Sequence, residues 1–387
     1  MPSSISGKTK RNEMVYPCMD ALDFKEGASV KDRRWLKMVK INSIAIGGLL
    51  LILAIFSTGC MEKDTDIHPA PEGTIVMSNS TSNEFSNTVG NYTYVETDDT
   101  ISDLINHPAF QGFGQFILPL DRGTYNEDMQ LNRVGSLLPY HGHVDPDAAV
   151  GTINYMIDEV NNGQTIFYNI YTEQQKTKEP SKESTGLFFF KGEAFAPFAI
   201  ICPGGGYSYV GSIHEGFPHA IELNKKGYNA FVLQYRVGGE RIACEDLAAA
   251  ISYIFENADM FEVSTEDYSI WGSSAGARMA ARLGSNGALA YGGNDVPKPC
   301  TVVMAYTGHS DFSLNDPPTF VTSSEDDPIA NVFIVERRVE SMRNAGIDVE
   351  YRKYKNAGHG FGLGNGTDAQ GWIEYAIHFW ERQMPEY

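Results

Sequence analysis

Residues 269–281 read SIWGSSAGARMAA, and the architecture of the chain can be worked outward from them. Tyr268 to Trp271 is a short apolar run of strand type, and the residues from Ala275 onward have helical character. Between them stand Gly272, Ser273, Ser274, Ala275 and Gly276 in the spacing G-x-S-x-G. A serine on a sharp strand-to-helix turn needs neighbours without bulk, so that its hydroxyl stands clear. The helix N-terminus that follows favours developing negative charge. Ser274 is the candidate nucleophile, and the spacing excludes its neighbour Ser273.

On either side the chain alternates between strand and helix. Upstream, Gly186 to Lys191 (GLFFFK) and Phe198 to Cys202 (FAIIC) read as apolar strands. A helix over 214–226 stops at Gly227, the strand YNAFVLQY follows, and an amphipathic helix runs from Ala243 to Ala258. Downstream come strands Thr301–Tyr306 and Thr319–Thr322, a helix over 330–345 stopped by Gly346, strand Val349–Tyr354 and a helix over 370–383. Before these, Thr152–Val160 reads as helix, Thr165–Thr172 as strand and TEQQKTKEPSKES as a polar loop. Strands alternating with helices of this length predict an α/β fold: a mostly parallel central sheet with helices on both faces. In such sheets, reactive groups gather beyond the carboxyl ends of the strands.

A serine hydroxyl is a weak nucleophile and needs an adjacent base. His359 lies in NAGHGFGLG, a glycine-rich loop directly after a strand. His309 precedes every acid candidate, and His378 falls within the last helix. The acid is expected in SSEDDPIAN, where Glu325, Asp326 and Asp327 are adjacent. Spacing to the next helix favours Asp327, with Pro328 setting the chain direction, and Asp326 is the rival. The run CPGGGYSYV follows a buried strand, and its glycines let backbone N–H groups approach a carbonyl oxygen without a Cβ in the way. Gly205, Gly206 and Ala275, the residue after the nucleophile, are the expected oxyanion donors. The loop lacks both the Lys-Ser/Thr ending of a P-loop and dinucleotide-site spacing. Tyr207, Tyr209, His214 and Glu215 follow it and are candidates to line the substrate pocket.

The bulk numbers limit the alternatives. A net charge of −19 over 387 residues, with no basic stripe after the first forty, argues against nucleic-acid binding. Hydrophobic residues make up 42% and charged ones 20%, which supports a sizeable core. The five cysteines form no metal pattern, and Cys202 and Cys244 read as small core residues.

Residues 1–60 read as an N-terminal signal region. The apolar run Ile44–Phe56 follows a basic cluster and precedes Ser57, Thr58, Gly59 and Cys60. The run is short for a membrane span, which needs roughly 20 apolar residues. Its ending resembles a bacterial lipoprotein signal with Cys60 as the acylated residue, although Ser57 stands where such signals carry Leu. Met38 is the expected true start. The chain is thus expected to be exported and membrane-anchored by lipid only. Residues 61–99 read as a polar tether, 100–150 as an irregular flap and 151–387 as the catalytic domain.

With GGG, GSSAG, DDP and GHG in this order, the segment from about Thr152 to Glu386 resembles α/β-hydrolases of the bacterial esterase/lipase group. The acetylxylan- and feruloyl-esterase-like branch is the nearest. The resemblance implies an α/β-hydrolase fold, a triad of Ser274, Asp327 and His359, the oxyanion donors above, and no metal or organic cofactor. It implies a serine esterase acting on acetyl or aromatic acyl esters linked to carbohydrate. Two other readings are a peptidase or amidase on the same fold, and an exported binding lipoprotein without catalysis. Residues 61–150 are too few for the propeller that such peptidases usually carry, and a non-catalytic descendant would be expected to have lost part of the triad.

Overall fold

The computed structural model describes residues 90–119 and 126–385. The signal region, Cys60 and the tether up to residue 89 lie outside the described residues.

Eight strands form one sheet. They are β1 (Phe167–Tyr168), β2 (Gly186–Phe190), β3 (Pro197–Cys202), β4 (Asn229–Gln234), β5 (Ser264–Ser273), β6 (Thr301–Ala305), β7 (Thr319–Ser324) and β8 (Val349–Tyr354). Their order is β1-β2-β4-β3-β5-β6-β7-β8. β1 and β2 pair antiparallel, as do β2 and β4, and every later pairing is parallel. The helices are α1 (Ile101–Ile105), α2 (Pro146–Asn161), α3 (Glu173–Lys178), α4 (Phe217–Asn224), α5 (Glu240–Glu256), α6 (Ala258–Phe261), α7 (Ala275–Asn286), α8 (Val332–Asn344) and α9 (Trp372–Glu381).

The apolar runs of the strands follow from burial on both faces. Leu187, Phe189, Ile200, Phe231, Ile270 and Met304 turn to one face, where α5 and α7 contribute Leu247, Ile251, Met279 and Leu283. Phe188, Phe190, Ile201, Val232, Trp271 and Val303 turn to the other, packing with Phe217 of α4 and Trp372, Ile377 and Trp380 of α9. At the far edge, Val335, Val339 and Met342 of α8 join Val321 and Val349 in a smaller cluster.

Two expectations change. The stretch read as a polar loop after Thr172 holds α3, whose start is a capping box between Thr172 and Gln175. The strand expected over Thr165–Thr172 shrinks to the two residues of β1. Residues 90–119 and 126–145 fall in the stretches expected as tether and flap. They are irregular, built of α1 and short 3₁₀ turns, yet Ile101, Leu104, Phe110, Phe113, Leu131 and Leu138 are buried in the same core as the sheet. The Phe113 ring stacks on Phe167 at 5.0 Å. Side-chain amides of α2 bracket the incoming chain: Asn161 bonds both backbone groups of Tyr92, and Asn154 both of Val95. An aromatic-rich segment without period can still be core, because packing needs area rather than regularity.

Among the described residues no helix is long and apolar enough to cross a membrane.

Candidate active site

β5 ends at Ser273, and α7 begins at Ala275. Ser274 between them adopts φ +49° and ψ −112°, a conformation that a residue with a Cβ rarely takes. The flanking glycines make it possible. A Cβ on Gly272 would lie 2.3 Å from the Gly276 carbonyl oxygen, and one on Gly276 would lie 1.9 Å from that of Cys202. The turn is held from the side by Ser274 N–H donating to the Ala305 carbonyl of β6 at 2.9 Å.

His359 comes from the loop after β8. Its Nδ1 lies 2.8 Å from Asp327 Oδ2, and its Nε2 lies 2.9 Å from Ser274 Oγ. With Nδ1–H donating to the carboxylate, Nε2 is left to accept from the serine hydroxyl. Asp327 is steadied in turn. Its Oδ1 accepts the N–H groups of Ile329 and Ala330 at 2.7 and 2.8 Å. The His359 and Asp327 side chains are almost wholly shielded from solvent.

Asp326 does another job. One of its oxygens accepts from Ser324 Oγ at 2.5 Å and from Gly358 N–H at 2.8 Å, while Ser324 Oγ also accepts Ala357 N–H. It ties the loop after β7 to the loop after β8. The Ser324 hydroxyl, above all, holds its carboxyl below the usual range. Of the two neighbouring acids, Asp327 faces the imidazole.

The loop Pro203–Tyr207 leaves β3 beside the nucleophile. A Cβ on Gly204 would meet Ser274 Cβ at 3.0 Å. Gly205 and Gly206 have φ of +131° and +63°, in the region that favours glycine. Neither of their N–H groups is held by another described residue. Ala275 N–H, at the first position of α7, has no intrahelical acceptor. Three donors are thus left open near Ser274.

The four residues expected to line a pocket separate. Tyr209 and Glu215 are fully buried. Tyr207 is half-buried, and its hydroxyl donates to the Ala275 carbonyl at 2.9 Å. His214 lines a cleft with His143, Asp145, Phe361, Leu363 and Asn365. The difference follows from the π-helical turn Ser212–Gly216, which directs Glu215 inward under the glycine loop.

One contributor escaped the sequence reading altogether. His141, from the irregular segment, sits with Nε2 3.1 Å from Glu215 Oε2 and Nδ1 2.9 Å from the Tyr209 hydroxyl. Its signal was the local run PYHGHVD, rich in polar and aromatic residues where a flap tip needs none. Among the described residues no group of three or more His, Cys, Asp or Glu side chains is placed to hold a metal ion.

Known proteins resemble parts of this chain. Residues 190–312, which include the glycine loop and the Ser274 turn, match the family described as BD-FAE. An acetylxylan esterase of Xylanibacter ruminicola is 25% identical over 206 residues, covering 45% of this chain and 41% of that protein. An endo-1,4-beta-xylanase B of Butyrivibrio fibrisolvens is 27% identical over 230 residues, covering 46% and 35% respectively. The chain therefore spans well under half the length of either relative. Among solved structures, an alpha/beta hydrolase from a Medee basin deep-sea metagenome library superposes with a TM-score of 0.48. It is 24% identical, covering 57% of this chain and 97% of that one. The family match lies across the strand, turn and helix that carry Ser274, so this part of the chain is similar to the BD-FAE family.

Proposed function

We propose that the protein is a serine carboxylic-ester hydrolase with Ser274 as nucleophile, His359 as general base and acid, and Asp327 as the group that orients the imidazole. The observation that carries this is the unbroken hydrogen-bond chain Ser274–His359–Asp327, at 2.9 and 2.8 Å. In the reaction, His359 Nε2 takes the hydroxyl proton as Ser274 Oγ attacks the ester carbonyl. The oxyanion is received by N–H groups of Gly205, Gly206 and Ala275. The imidazolium returns its proton to the departing alcohol. Water then attacks the acyl-enzyme by the same route and frees the acid.

The proposed substrates are short-chain, acetyl, or aromatic acyl esters carried on carbohydrate. The similarity to an acetylxylan esterase supports this class. The sequence of residues 1–60 supports export with a lipid on Cys60, and metabolic labelling of the full chain with a fatty-acid probe, lost in Cys60→Ser, tests it.

The decisive assay uses 4-nitrophenyl acetate, butyrate and octanoate beside a matched anilide, with Ser274→Ala as control. Turnover that favours acetate and disappears in Ser274→Ala supports the reading. Anilide cleavage puts a peptidase or amidase in its place, and ester turnover surviving in Ser274→Ala overturns the nucleophile.

A further inference from the structure

Glu215 presents a problem that the triad does not explain. Its carboxylate is fully buried, in the loop region nearest the nucleophile, and an unpaired buried charge is strongly disfavoured. Oε2 accepts the Gly204 N–H at 2.7 Å. Among the described residues, neither Oε1 nor the Tyr306 hydroxyl has a hydrogen-bond partner. From outside the sheet, His141 Nε2 lies 3.1 Å from Oε2, and both side chains are shielded from solvent. Burial works against the ionised form, and His141, together with His214 and Tyr306, offsets it, bringing the carboxyl down to about 2.

His141 is held on its other side. The Tyr209 hydroxyl sits at its Nδ1 and also accepts the Tyr140 N–H at 3.2 Å. The next residue reaches the second catalytic loop, where Gly142 N–H donates to the His359 carbonyl at 3.0 Å. The backbone there is packed tightly. A Cβ on Gly360 would lie 2.7 Å from His141 Cα and 2.8 Å from the Tyr140 carbonyl oxygen. Three consecutive residues, 140–142, therefore touch the loop that follows β3 and the loop that follows β8. No pairing within the sheet joins those two loops, because β3 and β8 are separated by β5, β6 and β7.

We propose that His141 is a positioning residue for ester hydrolysis: through Glu215 it sets the Gly204–Gly206 loop against Ser274, while its neighbour Gly142 fixes His359. This rests on the serine-hydrolase reading. The Gly204 N–H is occupied by Glu215, which leaves the N–H groups of Gly205 and Gly206 to the substrate. Without the imidazole the carboxylate must take up a proton or admit water. Either event weakens the acceptor that holds Gly204, and the following donors lose their aim at the oxyanion.

The test compares the full chain with His141→Gln and Glu215→Gln, both close in volume to the original residues, and with Ser274→Ala. Hydrolysis of 4-nitrophenyl acetate, affinity for phenylboronic acid and thermal melting are measured on each. Loss of a whole oxyanion donor lowers kcat about 10²–10³-fold, so a misplaced loop should cost about 10- to 100-fold in kcat with KM within about twofold. Phenylboronic acid, which forms a tetrahedral adduct on the serine, should bind more weakly by the same factor. A folded His141→Gln and Glu215→Gln pair with unchanged kcat and boronate affinity overturns the proposal. So does a rate loss that only follows a collapse in melting temperature, which assigns His141 to stability. Full turnover by Ser274→Ala locates the failure in the serine-hydrolase reading instead.

Discussion

Gly276 lies directly under the carbonyl of Cys202: a Cβ there would stand 1.9 Å from that oxygen and 2.8 Å from the oxygen of Pro203. This contact brings the start of α7 against the end of β3. The glycine loop leaves β3 at this point, so one close approach sets both Ser274 and the residues from Gly204 to Gly206.

Because the obstacle is backbone, Gly276→Ala cannot be absorbed by a side-chain rotation. Overpacking of this kind typically costs about 1–3 kcal/mol and occasionally more. The variant is expected to melt at lower temperature and to lose most of the proposed ester-hydrolase activity. A melting curve and kcat equal to those of the parent would contradict the contact.

The two adjacent acids should respond differently to loss of charge. Asp327→Asn leaves the geometry but favours the wrong imidazole tautomer, and a loss of about 10⁴-fold in kcat is expected by analogy with serine-protease triads. Asp326→Asn weakens the tie to Gly358 at 2.8 Å and should lower kcat far less, by about tenfold at most. Steady-state kinetics of both variants decide this, and a reversed order would move the orienting role to Asp326.

Acid sensitivity should begin well above the carboxylate range. Burial holds His214, His219 and His309 neutral and lowers each to about 4, with His141 adding to the effect at His214 and Arg338 at His309. In the unfolded chain they take up protons near 6.5. Their contribution to stability is complete above 6.5 and is lost as pH falls from there toward 4. Glu215, lowered to about 2, extends the loss from about 4.5 downward. Melting temperature should decline steadily between pH 6.5 and 4. A flat profile across that window would exclude the three histidines as its source.

The buried carboxylate of Asp246 in α5 ties that helix to the chain just after β4. It accepts from the backbone and guanidinium of Arg236 and from the Tyr171 hydroxyl at 2.6 Å. Removing one member of such a group leaves an uncompensated charge, which typically costs about 3–5 kcal/mol. Asp246→Ala should lower unfolding stability by that order in a denaturant titration. A change below about 1 kcal/mol would show that Glu179 and Glu245, which also pair with Arg236, compensate its charge.

Much of the fold was legible because its signals are local. The runs FAIIC and YNAFVLQY, with glycine stops after the helices, announce a sheet buried on both faces. The glycines around Ser274 announce a turn too tight for any Cβ. α3 was missed although its capping box, Thr172 and Gln175, was present, because a charged composition outweighed the cap in the reading. The length of β5 was understated for a similar reason: its first residues, Ser264 to Asp267, are polar and pair only at the sheet's entry.

By itself the sequence determined the order of strands and helices, the serine turn and the histidine loop, since each depends on neighbours a few residues apart. Only the tertiary structure decided which of two adjacent acids faces His359, because one residue of chain reverses where a carboxylate points. It also decided that Glu215 turns inward and that His141, 133 positions before Ser274 by numbering, pairs with it. A buried charge takes its partner from whatever the packing brings within about 4 Å, and that distance is not encoded in any local pattern.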